Sequence, residues 1–267
     1  MRFGAGMPTG MEGLINPVDF FTGREWAPLF EPARFGVLPL VSGTLLVTGI
    51  ASLVALPFGL GAAIYLSEYA GNRTRGVLKP ALEILAGVPT IVFGYFALTF
   101  FTPEILRDLL HVKVNIFNVL AAGIVMGFMI VPTVASVAED AMSAVPQSLR
   151  EGAFGLGASR LHVSLRVVFP AALSGIVAAI VLGVSRAIGE TMIVLIAAGQ
   201  IASNAVDPRD PHYSLASFIG ATAKGDVPTG STEYKTIFAV GMLLFVITLL
   251  MNLVSIRFVR KYRQVYE

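Results

Sequence analysis

Long apolar runs alternate with short polar joints along the chain. Each run is at least as long as the roughly 20 residues that an α-helix needs to cross a bilayer. Period-two alternation is missing, and the runs are much longer than the strands of a membrane β-barrel. The pattern therefore predicts an all-α fold, a polytopic membrane helical bundle, with spans at 38–67, 81–101, 116–138, 170–200 and 236–257.

The same runs divide the chain into three parts. Residues 1–37 form an extramembrane segment, which lacks the basic stretch and apolar core of a secretory signal. The transmembrane domain covers 38–257 and includes a long semi-polar loop, 139–169, between its third and fourth spans. A basic tail, 258–267, follows the last span.

Composition supports a membrane protein and excludes several classes of site. The chain is 55% hydrophobic and 13% charged, whereas soluble domains carry about 25% charged residues. It has no cysteine, so disulfides and thiolate metal sites are impossible, and its three histidines fall in separate predicted loops. The net charge of +2 comes from scattered basic residues, a distribution typical of retention on one side of a membrane rather than of nucleic-acid binding.

Lys and Arg are denser on one side of the predicted spans. That side holds 68–80, 139–169 and the C-terminal tail, and the positive-inside rule assigns it to the cytoplasm. The Pro-rich loop 201–235 then lies outside, together with the N-terminus. An outer N-terminus without a preceding span has two explanations, a short tail that crosses unaided or a missing upstream helix.

The loop between the third and fourth spans has a helix–turn–helix pattern. Pro146 opens the first helix, Gly155 and Gly157 permit a sharp turn, and Pro170 begins the next membrane helix. Such a surface either fills a groove on a partner or lies on the membrane without one. The apolar positions at helical spacing are Leu149, Ala153 and Leu156, then Leu161, Leu165 and Val168.

Two charged residues, Arg186 and Glu190, lie within the fourth predicted span. Charges there are costly, and their i, i+4 spacing places them on one helix face, where they can pair. They either line a path for an anionic solute such as phosphate or sulfate, or form an internal pair that joins helices. Upstream, Gly175, Ala179 and Gly183 form a row of small residues for close helix packing. The adjacent Glu139 and Asp140 are predicted to lie in solvent.

Two stretches of the chain resemble known transporters. The loop resembles the EAA motif of ABC importer permeases, with Glu151, Ala153, Gly157 and Pro170 on motif positions. Gly152 replaces the second motif residue. The resemblance implies a coupling helix that docks on a separate ATPase. The chain itself has no P-loop, so the resemblance implies that the ATP that drives transport is bound by the partner ATPase.

The run from Ser185 to Met192 resembles the phosphate-specific permeases of the PstC/PstA type. The runs from Leu38 to Leu45, Leu60 to Tyr69 and Leu85 to Gly94 agree. The stretch from Phe21 to Trp26 and the Glu-Thr-Met run favour the PstC-like subunit, whereas Tyr65 to Tyr69 fits either subunit. Members of this family usually have six spans, one more than the pattern shows here.

The resemblance implies a permease subunit with a path for inorganic phosphate, lined by Arg186 and Glu190. It implies two ABC ATPase subunits, a second homologous permease, an extracytoplasmic phosphate-binding protein and the bilayer of a bacterial or archaeal cell as partners. It implies no catalytic residue, no metal and no cofactor in this chain. The alternatives are a permease for sulfate, molybdate or phosphonate and a stand-alone secondary transporter. An intramembrane enzyme is disfavoured, since the sequence has no H-E-x-x-H motif.

Overall fold

The computed structural model describes residues 16–262 except 29, 31, 226 and 229. Most of these residues are helical, as the all-α prediction requires, and several helices continue into or are followed by a π-helical turn. In chain order the first elements are α1 (Pro17–Thr22), β1 (Trp26–Ala27), β2 (Arg34–Phe35), α2 (Leu38–Ile64, then a π-helical turn Tyr65–Tyr69), α3 (Asn72–Ala86) and α4 (Thr90–Phe96, then a π-helical segment Ala97–Leu109). The remaining elements are α5 (Val119–Ser143), α6 (Gln147–Gly155), α7 (Arg160–Val163, then a π-helical turn Ser164–Val168), α8 (Phe169–Ala171), α9 (Leu173–Ile188, followed by a π-helical turn Val194–Ala198), α10 (Leu215–Lys224) and α11 (Thr232–Tyr262).

Three helical segments are long and apolar enough to cross a membrane as they stand. They are Leu38–Tyr69, Val119–Ser143 and Tyr234–Arg257. Two further pairs of helices pass the same test only as bent pairs. The five predicted apolar segments therefore correspond to three continuous helical segments and two pairs of helices, each pair bent at a short break.

The second predicted span, 81–101, is not a straight helix. Helix α3 begins at Asn72, within the predicted loop, and ends at Ala86, and the chain then bends by 85° before Thr90. Pro89 lies in this break and disfavours a helical conformation at the residue before it. The apolar helix of this pair therefore begins about nine residues later than predicted, and α3 is a separate amphipathic helix with no buried residue.

The fourth predicted span, 170–200, is divided at both ends. Pro170 does not begin the membrane helix, because it lies in the single-turn helix α8, and a bend of 76° separates α8 from α9. Helix α9 begins at Leu173 and ends at Ile188, where Gly189 has weak helix propensity. Helical structure resumes before Val194–Ala198.

The predicted outer loop and tail also contain helix. Ser214 and Ser217 form a capping box that starts α10 inside the loop 201–235. Helix α11 runs to Tyr262, so the predicted tail 258–267 is helical in its first half, and 263–267 lie outside the described residues. The predicted N-terminal segment contains α1 and a short antiparallel pair, in which Trp26 pairs with Phe35.

Helix α5 is the centre of the bundle. Its most apolar window is 67% buried, whereas the corresponding windows of α2 and α11 are 28% and 6% buried. Glycines allow close packing on both sides of α5. A Cβ on Gly127 would lie 2.6 Å from Val54 of α2, and a Cβ on Gly183 of α9 would lie 2.7 Å from Val134. The small-residue row predicted for α9 thus packs against α5.

The two ends of the bundle contain different segments. At one end, which we call the α6 end, residues 68–80 contact 139–169 through ion pairs. At the other, the α10 end, Trp26 packs edge-on against Phe218 of α10, and Asn115 donates to Asp210. Residues 68–80 and 139–169, predicted to share one side of the membrane, therefore meet at one end. The N-terminal segment and the loops 102–115 and 201–235, predicted to share the other side, meet at the other end.

Candidate functional site

The predicted helix–turn–helix is present at the α6 end. Helix α6 ends at Gly155, and Gly157 then adopts a left-handed conformation with φ of 81°, in which its N–H donates to the carbonyl of Phe154 at 2.9 Å. The turn leaves Leu156 92% exposed, and Phe154 and Leu161 are exposed beside it. A compact apolar surface therefore projects from the end of the bundle.

The four motif positions have different surroundings. Glu151 and Gly157 are exposed, and Ala153 is partly buried against an apolar cluster that includes residues of α2, α5, α7 and α9. Pro170 is also exposed, before the bend into α9. These residues therefore define the shape and surface of the loop rather than a single contact site.

Arg150 is a functional candidate that the sequence interpretation missed. It is only 9% exposed, although it belongs to the short surface helix α6. Its Nη2 donates to Oε1 of Glu68 at 2.9 Å and to the carbonyl of Met142 at 2.8 Å, and its Nη1 donates to the carbonyl of Val145 at 2.5 Å. The sequence spacing indicates that Arg150 faces the core, because it lies three residues before the core-facing Ala153 and so shares its helix face.

Glu139 is a second missed residue, and the prediction that it lies in solvent is wrong. Its side chain is fully buried because α5 continues to Ser143. Oε2 accepts from Lys79 of α3 at 2.8 Å, while Oε1 accepts from Ser143 at 2.7 Å and also from Arg75. The neighbouring Asp140 is exposed as predicted and pairs with Lys79 at 2.6 Å.

Arg186 and Glu190 do not form the predicted pair. Among the ion pairs of the described residues none joins them, because α9 ends between them at Ile188. Oε1 of Glu190 accepts from the backbone N–H groups of Met192 and Ile193 at 2.9 and 3.2 Å. Glu190, 8% exposed, thus caps the helical segment that follows the break.

The guanidinium of Arg186 remains half-buried in the middle of the bundle. Its Nη1 donates to Oγ1 of Thr133 on α5 at 2.8 Å, which is its single hydrogen bond within the described part of the chain. One residue earlier, the Ser185 hydroxyl lies 3.5 Å from Oδ1 of Asn252 on α11. Most of the N–H groups of Arg186 are therefore available to an oxyanion.

The α10 end has a polar cleft of about 580 Å³. Its walls combine the 107–115 segment with the 207–210 turn, and both signs of charge are present. The hydrogen bonds and charge of Arg209 lower the pKa of Asp207 to about 2. The charged lining residues are Arg107, Lys113, Asp207, Arg209 and Asp210.

Comparisons with known proteins agree with this architecture. Residues 55–264 match the family model described as binding-protein-dependent transport system inner membrane component. The chain is 35% identical over 251 residues to the "Probable ABC transporter permease protein YqgH" of Bacillus subtilis (strain 168), covering 94% of this chain and 80% of that protein. It is 33% identical over 262 residues to the "Phosphate transport system permease protein PstC" of Haemophilus influenzae (strain ATCC 51907 / DSM 11121 / KW20 / Rd), covering 92% and 82%.

Solved structures support the fold alone, because their sequence identity is low. The MetNI methionine ABC transporter in an inward-facing conformation has a TM-score of 0.61 at 19% identity, with 86% of this chain and 95% of that chain covered. A bacterial ABC transporter that imports alginate has a TM-score of 0.64 at 15% identity, with 85% and 80% covered. The chain is a multi-pass membrane protein, and it belongs to the family of binding-protein-dependent transport system inner membrane components.

Proposed function

We propose that this chain is the membrane permease subunit of an ATP-driven importer and forms the translocation path for inorganic phosphate. The assignment of phosphate as the cargo rests on Arg186, whose guanidinium is half-buried and has one side-chain partner in the described structure. A planar guanidinium suits the oxygens of phosphate, and a low-dielectric surrounding strengthens the interaction. The similarity to relatives named phosphate transport permeases supports the same cargo.

In this proposal the two residues of the predicted site have different roles. Arg186 contacts the anion as it passes between α5, α9 and α11. Glu190 holds the break after α9 by capping the next helical segment, and its carboxylate prevents the path from retaining the anion too tightly. The roles are separable by substitution, because Glu190 has backbone partners and Arg186 has a side-chain partner.

The proposal places the α6 end and the C-terminus in the cytoplasm. The denser Lys and Arg at that end support this orientation. The apolar surface of Phe154, Leu156 and Leu161 then docks on an ATPase subunit, and a hydrophobic helix face seated in a groove is a common mode of recognition. ATP binds to that partner, and this chain itself is not an enzyme and carries no cofactor.

The complete importer in this proposal contains two ATPases, this chain and a second homologous permease. An extracytoplasmic phosphate-binding protein delivers the anion to the α10 end. The charged cleft of that end, with Arg107, Lys113 and Arg209, supplies a polar surface for the delivery. ATP-driven closure of the ATPases displaces α6, and the spans alternate between inward-facing and outward-facing arrangements.

Uptake of radiolabelled phosphate into proteoliposomes tests this function. We expect ATP-dependent uptake only when this chain, the second permease, the ATPases and the binding protein are all present. Uptake that persists without the ATPases would contradict the importer and support a secondary transporter. Excess unlabelled sulfate, molybdate or phosphonate should leave uptake unchanged, and strong competition by one of them would transfer the cargo assignment to that oxyanion.

A further inference from the structure

We propose that Arg150 and Glu68 form the connection through which displacement of α6 reaches the first span. This inference rests on the proposed function, in which α6 is displaced by an ATPase. We call the two side chains, joined by contacts of 2.9 to 3.4 Å, the Arg150–Glu68 link. Arg150 and Glu68 are positioning residues in this proposal, and neither contacts the cargo.

Glu68 needs a cation at its position. It lies in the π-helical turn that ends the first span, where the carbonyl groups of a helix end carry partial negative charge. Its side chain is nearly fully buried, as is that of Arg150. Its Oε1 also accepts from the Ser67 hydroxyl at 2.8 Å, so the carboxylate is fixed in direction. A buried carboxylate at a helix C-terminus is unfavourable without a counter-charge, and Arg150 provides it.

Arg150 also binds the end of α5. Its N–H groups donate to the carbonyl of Met142, in the last turn of α5, and to the carbonyl of Val145 just after it. Carbonyl groups at a helix C-terminus carry partial negative charge, which favours a cation there. One guanidinium on α6 thus holds the ends of α2 and α5, the two helices that pack most extensively on each other.

The covalent connections of α6 lead to α5 and α9 and not to α2. Residues 144–146 join α6 to the end of α5, and its C-terminus continues through the turn at Gly157, α7 and α8 to the 76° bend before α9. The first span is contacted from α6 through the side chain of Arg150, which binds Glu68. The Arg150–Glu68 link therefore gives α6 a side-chain connection to the first span, to which its covalent connections do not lead directly.

An exposed ion pair at the α10 end offers a control for the substitutions and the reagent. Nε of Arg34 on β2 lies 3.7 Å from Oε2 of Glu25, just before β1. This pair also joins one cation to one carboxylate, but neither residue belongs to α6 or to a span. The pair of Lys79 and Asp140 is unsuitable, because Lys79 also binds the buried Glu139 at 2.8 Å.

The natural sequence has no cysteine, which allows a direct chemical test. Glu68→Cys with Arg150→Cys removes the link in the full importer, and a reducible bis-thiosulfonate reagent then replaces it with a covalent bridge. Without reagent we expect phosphate uptake to fall about tenfold while the ATPase still co-purifies, a loss equivalent to about 1.4 kcal/mol of coupling. With reagent we expect uptake to recover, and reduction to abolish the recovery.

The control variant, Arg34→Cys with Glu25→Cys, should retain uptake with and without reagent. The proposal is overturned if the Glu68→Cys, Arg150→Cys variant imports at the parental rate without reagent. It is equally overturned if the bridge blocks uptake and reduction restores it, because the two residues then separate during the cycle. Reagent added to the unsubstituted importer controls for cysteines of the partner subunits.

A single substitution keeps the proposal testable if the double variant does not accumulate in the membrane. Glu68→Gln retains an acceptor for Arg150 and loses only the charge. We expect fewer phosphate ions imported per ATP hydrolysed with normal ATPase co-purification, and an unchanged ratio would overturn the link. Absence of phosphate uptake by the unsubstituted importer contradicts the proposed function instead, whereas a defect confined to these variants bears on the link.

Discussion

Arg150 and Arg186 both lie inside the helical bundle, yet their guanidinium groups have very different surroundings. Arg150 contacts a carboxylate and two backbone carbonyls, all at the α6 end. Arg186 contacts one hydroxyl, that of Thr133, within the described structure. A guanidinium whose donors are satisfied by the protein holds helices together, whereas one with unused donors can bind a passing anion.

The largest effect on stability should follow the loss of Arg150, whose donors are satisfied by the protein. Arg150→Met leaves the Glu68 carboxylate buried without a counter-charge, and we expect a loss of about 3–5 kcal/mol in the free energy of unfolding. Denaturant unfolding of the purified chain in detergent measures it. The matched control is Arg150→Met with Glu68→Gln, which removes both charges and should recover part of the loss. Equal stability of the single variant and the parent would contradict the inferred role of the pair.

Loss of Arg186 should instead reduce phosphate uptake and leave stability nearly unchanged. Arg186→Ala removes a charge-assisted contact to the anion. We expect the activation free energy of phosphate uptake to rise by about 1.5–3 kcal/mol, which lowers the rate of uptake roughly 10- to 150-fold. Stability in detergent should change little, since only one hydrogen bond to Thr133 is lost. Normal uptake by Arg186→Ala at normal expression would remove Arg186 from the path, and Thr133→Val separates loss of positioning from loss of charge.

The glycine turn should show an intermediate effect on the ATPase-docking surface. Gly157→Ala places a side chain at a φ of 81°, and a left-handed residue with a Cβ costs about 1–2 kcal/mol. We expect weaker co-purification of the ATPase and lower uptake. Gly152→Ala is the control, because Gly152 is helical with open space around it and alanine there favours the helix. Equal behaviour of the two variants would show that the turn conformation is unimportant.

A smaller effect is expected at Glu190. Because Glu190 caps the helical segment after the break, Glu190→Ala should cost about 1 kcal/mol of stability. Glu190→Gln should cost less, since the amide oxygen can still accept from Met192 and Ile193. Thermal midpoints in detergent and phosphate uptake together measure this. In Glu190→Gln we expect slower uptake at nearly unchanged stability, because the proposed path loses its carboxylate. Normal uptake by this variant would remove the Glu190 charge from the path.

The smallest effect should follow loss of an exposed pair at the α10 end. Arg209 lowers the pKa of Asp207 from its ordinary value of 3.8 to about 2, so any stabilisation is fully present above pH 3.8 and is lost as pH falls from there through about 2. Because exposed pairs contribute little, Asp207→Asn should leave the thermal midpoint unchanged between pH 4 and 7. A clear midpoint shift in this range would show that surface and buried pairs contribute alike, against the comparison above.

Many of the predicted features follow from local sequence patterns. The apolar runs predicted the helical bundle, since bilayer thickness sets a minimum length that composition alone can report. The turn at Gly157 and the two helices beside it were also predictable, because left-handed backbone and helical spacing are properties of short segments. The small-residue row of α9 was readable for the same reason.

Contacts between distant segments escaped prediction. Glu68 and Arg150 are 82 positions apart, and Arg75 and Glu139 are 64 apart, so no local pattern joins them. The pairing of Arg186 with Glu190 failed because it assumed a continuous helix, whereas the chain breaks at Gly189. The spacing rule holds only within one helix.

By itself the sequence determined that this chain is a bundle of membrane helices with a helix–turn–helix loop, because hydrophobic period and turn chemistry act over a few residues at a time. The tertiary structure decided which charges are satisfied. It brought Glu68 and Met142 to Arg150 and left Arg186 with Thr133, since the partners available to a buried charge depend on which helices pack beside it.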